Sequence, residues 1–336
     1  MDKKRKNILS YVFWGAVAVV LLYFCIRAID WEMFRAALAV CKWEFVLLSM
    51  LLGVVVLLIR GARWQMLLSP IDPSISVRSA FNAYNICMAV NLALPRAGEL
   101  VRLGYVVKHS AQDAEGRRLL SFDKALGTLL TERAWDTLVT LAMVGVLLVA
   151  KWEDYGSFLL KDISASFAGR GIWWLLGALA AAGLGFLALV FALRKKGGLW
   201  ERLWGFVEGI WSGLVSFAHM RRGWLFLLYT AAIWCLYWLM SACIVWSLQD
   251  WEMFASFGPA DAFFIMVVGC ISSVIPVPGG FGAYHGMVSG ALRSLWDIPV
   301  GAGMIFATLN HESQVVTQAV CGLVSYLRES FGSRRP

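Results

Sequence analysis

Five runs without one charged side chain, residues 7–26, 45–59, 171–193, 223–249 and 262–284, constrain this chain more than any other feature. Several reach the roughly 18 to 20 residues that a helix needs to cross a hydrocarbon core. Inside such a core every backbone N–H and C=O must be satisfied within the segment, which makes the helix the expected element. Of the 336 residues, 60% are hydrophobic and 15% charged, so nothing between the runs is left to build a soluble domain. The chain reads as an all-α polytopic membrane protein with a single transmembrane domain over 1–336. The opening "MDKKRKN" and the apolar stretch behind it read as a retained anchor. The run is too long for a signal peptide, and no small-residue cleavage site follows.

A net charge of +8 does not point to nucleic acid, because Lys and Arg stand at the ends of apolar runs, where they orient helices and meet anionic headgroups. With the first basic cluster in the cytoplasm, 22 Lys and Arg fall inside, 7 outside, and Arg133 within a helix. That asymmetry predicts a cytoplasmic (inner) membrane protein of a bacterium or archaeon with both termini inside. Six spans are expected near 8–28, 44–68, 125–150, 170–194, 223–248 and 300–327. Trp31, Trp43, Trp152, Trp173, Trp251 and Trp296 then mark the outer rim. Residues 199–218 repeat Leu203, Val207, Ile210, Trp211 and Leu214 at helical spacing, which predicts an amphipathic helix in the inner interface. Seven cysteines, none in a CxxC pair, read as packing residues.

Two apolar segments do not fit as simple spans. Residues 79–95 are long enough to cross, but a crossing would put the basic stretch 96–124 outside; Pro95 and Gly98 in "LPRAGE" instead predict a re-entrant hairpin that returns through 99–108. Residues 262–292 carry Pro276, Pro278, Gly279, Gly280 and Gly282 at their centre, which no unbroken helix tolerates. They predict a second broken hairpin, entering from the outside. Pro-x-x-Gly recurs at an offset of 181, and "TLLTE" and "TLNHE" recur at an offset of 180. The halves 44–150 and 223–327 therefore read as an inverted repeat, the arrangement in which transporters hold substrate near the membrane midplane. Helix ends exposed at such breaks present N–H groups to an anionic headgroup.

Ionisable groups within spans are costly and mark candidate sites. Glu132 and Asp136 share a helix face, with Arg133 able to pair with Asp136; the competing use is an internal salt bridge that holds helices together. The last span adds Asn310, His311, Glu312 and Gln314, and the second hairpin adds His285. His285, His311 and Glu312 are candidates for proton coupling, against a purely hydrogen-bonded structural use. A metal is not expected from them, since two adjacent ligands and a distant third lack a metalloenzyme spacing. Arg96 and Arg102 flank the first hairpin's return and offer planar forks suited to phosphate, with Glu99 between them. Arg60 and Arg63 end the second span, where Arg60 reads as a snorkelling interfacial residue.

Three motifs in order carry a resemblance: Pro95, Arg96, Gly98, Glu99 and Arg102; Glu132, Arg133 and Asp136; and the hairpin Pro276 to Gly282. Together they resemble the flippase-like transmembrane region of lysylphosphatidylglycerol synthases, in a single-domain form. The resemblance implies movement of a phospholipid or a polyprenyl-phosphate-linked lipid between leaflets, with no cofactor. The soluble aminoacyl-transferase domain is not in the sequence, so lipid lysylation by this chain is not expected. Where the family commonly has an acidic residue after the glycine-rich hairpin, this chain has His285. The implied partner is a membrane lipid. The alternative is a non-transporting scaffold for a glycosyltransferase or lipid synthase, and a weaker third reading is an intramembrane enzyme using His285, His311 and Glu312.

Overall fold

A computed structural model describes residues 31–94, 96–150, 185, 188–194, 198–215, 220, 222–275 and 277–332. The expected span at 8–28, most of that at 170–194, Trp152, Trp173, Pro95 and Pro276 lie outside the described residues. Among the described residues the protein is all-α: α1 Trp31–Val40, α2 Trp43–Leu68, α3 Val77–Ala93, α4 Ala97–Lys108, α5 Phe122–Ala150, α6 Leu199–Val215, α7 Gly223–Ser247, α8 Pro259–Ser272, α9 Ala283–Trp296 and α10 Val300–Gly332. No strand is present among them beyond one isolated bridge, Gln112 to Arg118. Helices α2 and α7 combine the length and apolarity needed to cross a membrane. The short α1, just before α2, has no counterpart in the sequence reading.

Each break has a local cause. Ser76 caps α3 by accepting from the Ser79 N–H at 3.1 Å. Helix α8 starts with Pro259 in its first turn, where a missing N–H costs nothing, and Asp261 accepts from the Gly258 N–H at 2.8 Å. Between α3 and α4, Leu94 turns extended and Arg96 takes a left-handed conformation at φ 62. Between α8 and α9, a tight turn at Pro278–Gly280 contains Gly279 and Gly280 at φ 58 and 79, which a side chain would strain.

The described residues form two compact units, the first from those within 1–65, 76–109 and 224–336, the second from those within 66–75 and 110–223. In the first, α10 packs on α3 and α9, and α3 on α4. A Cβ at Gly322 would collide with Ala89 and lie 2.9 Å from the Asn85 carbonyl, so α10 and α3 approach as closely as their backbones permit. Asn85 Nδ2 donates to Ser325 Oγ at 2.9 Å across the same contact. Gln314 Nε2 on α10 donates to Ser49 Oγ on α2 at 3.1 Å, and Ser49 donates to the Met240 carbonyl on α7 at 3.3 Å. Three helices are thus tied by one polar chain. The outward faces are apolar: Val316, Val320 and Leu323 of α10 and Leu47, Leu51 and Leu58 of α2 are exposed, as lipid contact requires.

Trp251 and Trp296, expected at the outer rim, pack against neighbouring rings. Both are half-buried, Trp251 against Phe254 and Trp296 against Phe257 and Phe264, in a cluster where Phe254 stacks on Phe306 at 5.2 Å. Their rings pack the turns after α7 and α9.

The second unit pairs α5 with α6. The amphipathic segment predicted over 199–218 is helical over Leu199–Val215, with residues 216–219 outside the described residues. Gly209 presses against Asp123, while Phe206 and Trp211 are exposed. The loop Asp72 is fully buried and accepts four bonds, from Ser74 N–H and Oγ, Ser110 Oγ and Ala111 N–H, at 2.6 to 3.0 Å. Burial pushes its carboxyl up, but these four donors outweigh it and hold the group below its ordinary range.

Candidate functional site

The two breaks meet inside the first unit. Arg96, held left-handed at the head of α4, sends Nη2 to the Ser273 carbonyl at the end of α8, 3.2 Å away. A Cβ on Gly279 would lie 3.6 Å from Leu92 Cα, so the second turn rests on the last turn of α3. Arg96 Nη1 also lies 3.9 Å from Glu99, at i and i+3 in the first turn of α4. Gly98 lets the two arms of the first hairpin close: its N–H donates to Asn91 Oδ1 at 2.8 Å, and a Cβ there would collide with the Cys87 carbonyl. Helices α4 and α9 both begin at a break, which places their first N–H groups and positive dipole ends there.

Behind the first hairpin lies a layer of buried arginines. Arg102 is fully buried, its guanidinium 3.6 Å from the Trp64 ring centroid and 4.7 Å from that of Tyr84. Arg63 is fully buried beside Phe226 and donates to Thr230 Oγ1 at 3.2 Å. Arg60 corrects the snorkelling expectation. It is 7% exposed, donates from Nε to Tyr237 Oη at 2.8 Å, and lies over the rings of Tyr84 and Tyr237. Aromatic faces hold these cations where aliphatic walls would not, which is why the layer is built from Trp64, Tyr84, Tyr237 and Phe226. The signal in the sequence was the aromatic content of the same helices, which composition alone does not align with the arginines.

Helix α5 buries Glu132 and Asp136 on one face, with Arg133 half-buried beside it. Counted from Phe122, Glu132 lies about 15 Å into the helix at 1.5 Å per residue. Thr128 and Thr131 on the same face turn their hydroxyls back to the helix carbonyls of Ala125 and Gly127, leaving the carboxylates as the strongest acceptors there.

The second hairpin and the last helix bring three distant residues together. Glu312 Oε1 lies 2.9 Å from His311 Nδ1 and 3.5 Å from His285 Nε2. The three ligand-type atoms all fall within 4.8 Å of one another. His285 is 4% exposed. Asn310 does not point to this group but donates to Tyr284 Oη at 2.7 Å. The sequence distance on which a metal was set aside is removed by the fold, because α9 lays His285 against α10.

The site residues expected from the motifs thus fall in different places. Arg96, Glu99, Arg102 and the His285, His311 and Glu312 group belong to the first unit; Glu132, Arg133 and Asp136 belong to the second. A family model described as "Lysylphosphatidylglycerol synthase TM region" matches residues 11–322. No curated protein and no solved structure matches the chain.

Proposed function

Because the chain belongs to the lysylphosphatidylglycerol synthase transmembrane-region family, and is with it a multi-pass helical membrane protein, we propose that it moves an anionic lipid between leaflets. The substrate is a phospholipid or a polyprenyl-phosphate-linked lipid, and the protein acts as a transporter, not an enzyme. In this reading it has six spans and two re-entrant hairpins related as inverted halves, with both termini in the cytoplasm of a bacterium or archaeon.

The observation that carries the reading is the meeting of the two hairpin breaks. A broken helix inside a membrane leaves backbone groups that only a polar neighbour or a water-filled cavity can satisfy. Here both breaks are brought to one place and a cation, Arg96, is put there with it. Its guanidinium is 53% exposed at the side chain and bonded on one edge, which leaves fork donors for a headgroup phosphate. Arg102 stiffens the arm that carries Glu99. Glu132, Arg133 and Asp136 are polar groups of the second unit, proposed by themselves as headgroup contacts. The apolar outward faces of α2 and α10 leave the acyl chains in the bilayer.

Purified protein reconstituted in liposomes tests this. Labelled phospholipid or labelled polyprenyl phosphate exchanges between leaflets faster than in empty vesicles, and Arg96→Gln slows the exchange at least tenfold. No exchange of either lipid class overturns the proposal.

A second reading, a non-transporting scaffold for a lipid synthase or glycosyltransferase, is favoured by the polar ties that serve packing alone, Gln314 to Ser49 and Asn310 to Tyr284. Under it, Arg96→Gln leaves the activity of a co-purifying enzyme unchanged so long as the bundle folds.

A further inference from the structure

We propose that His285 Nε2, His311 Nδ1 and Glu312 Oε1 bind one divalent transition-metal ion of the zinc class and so fasten α9 to α10. The proposal does not depend on lipid transport.

The donor set is two imidazoles and a carboxylate, the borderline ligands that suit Zn²⁺ and Co²⁺ and that leave a fourth position for water or an anion. Tetrahedral ligands at 2.0 to 2.1 Å from zinc stand about 3.3 Å apart. Glu312 Oε1 stands 2.9 Å from His311 Nδ1 and 3.5 Å from His285 Nε2, separations that bracket that spacing, and the ligand atoms of the three residues all lie within 4.8 Å of one another. One carboxylate oxygen is shared by two imidazoles, so the three donors already converge on a common point.

The surroundings fit a bound ion better than a packing contact. His285 is 4% exposed and directs Nε2 to the cluster, while its Nδ1 has no hydrogen-bond partner among the described residues. Its ring is thus placed by the cluster and not by an outside network. Three aromatic rings close around His311: Tyr284 at 5.0 Å, His285 at 5.3 Å and Phe281 at 5.5 Å between centroids. The turn backbone comes in on the other side, where a Cβ on Gly280 would stand 3.0 Å from His311 Nε2. Such a shell limits water and fixes ring orientation, both of which favour metal retention.

A dication bound here would be partly neutralised by the Glu312 carboxylate and would satisfy all three lone pairs at once. The same lone pairs cannot hold a metal and relay protons together, so the ion replaces the proton-coupling use of these residues.

The full chain, freed of any histidine tag, is loaded with Co²⁺ in detergent, cleared of unbound ion by gel filtration, and assayed for metal content and visible absorption. One equivalent is retained, with the intense bands of four-coordinate Co²⁺ and no thiolate charge-transfer band. His285→Gln and Glu312→Gln each lower retention at least tenfold while eluting as the parent does. Absence of retained metal in the parent, a six-coordinate or thiolate spectrum, or full retention in both variants overturns the proposal. Should a variant aggregate, the parent's stoichiometry and spectrum decide alone.

Discussion

Two glycines in one helix respond oppositely to the same methyl group. A Cβ on Gly98 runs into the Cys87 carbonyl and lies 2.7 Å from Asn91 Oδ1, whereas a Cβ on Gly104 meets nothing within 4 Å. Gly98→Ala must therefore part the arms of the first hairpin and is expected to cost about 1–3 kcal/mol, the usual range for overpacking. Gly104→Ala adds only helix propensity and should stabilise by roughly 0.5–1 kcal/mol. Thermal unfolding of the two variants in one detergent checks the opposite signs. The sequence marks Gly98 as part of the first break, but the collision of a Cβ there with Cys87 follows only from the partner helix, since close approach is a property of two backbones. The same reason hid Arg60. Its place at the end of an apolar run matches a snorkelling residue, and nothing in its neighbours announces that Tyr237, far along the chain, supplies the hydroxyl that holds it.

At the scale of elements, the end of α4 is pinned to the end of α10. Tyr105 Oη donates to one Glu329 oxygen at 2.7 Å and His109 Nε2 meets the other at 2.8 Å. The hydrogen bond from Tyr105, assisted by His109 and opposed by burial, holds the Glu329 carboxyl below its ordinary value of 4.5. A group lowered in the folded state adds stability that is fully present above the unfolded value and is lost as pH falls through the folded one. Melting temperatures between about pH 6 and pH 3 should therefore fall more steeply for the parent than for Glu329→Gln. Equal slopes would mean that the contact does not couple to folding. This pairing joins elements far apart in the chain, and no spacing in the sequence points to it. By contrast, both hairpin breaks were legible, because proline and clustered glycine interrupt a helix through local sterics alone. The segments are seen as α3 with α4 and α8 with α9, within a few residues of the expected bounds. Of the candidate site, the chemistry of each residue could be read but not its company. His285 stands far from His311 in the chain, and only the packing of α9 on α10 brings their rings to 5.3 Å.

For the whole molecule, the face of the membrane that each connection meets fixes the number of spans. In the loop between α4 and α5, Arg117 has a side chain 75% exposed, so a cysteine placed there is reachable by reagent without unfolding. Arg117→Cys should be labelled by a membrane-impermeant maleimide only after the cytoplasmic side is opened. Labelling from the outside alone would break the six-span arrangement. The backbone at Arg96 carries a consequence for anyone redesigning this protein. A non-glycine residue at φ 62 sits in sparsely populated conformational space, at a cost of order 1–3 kcal/mol, and glycine would relieve most of it. A stability-guided search would therefore replace this arginine early, and would delete a cation that links the two breaks while every folding assay improved.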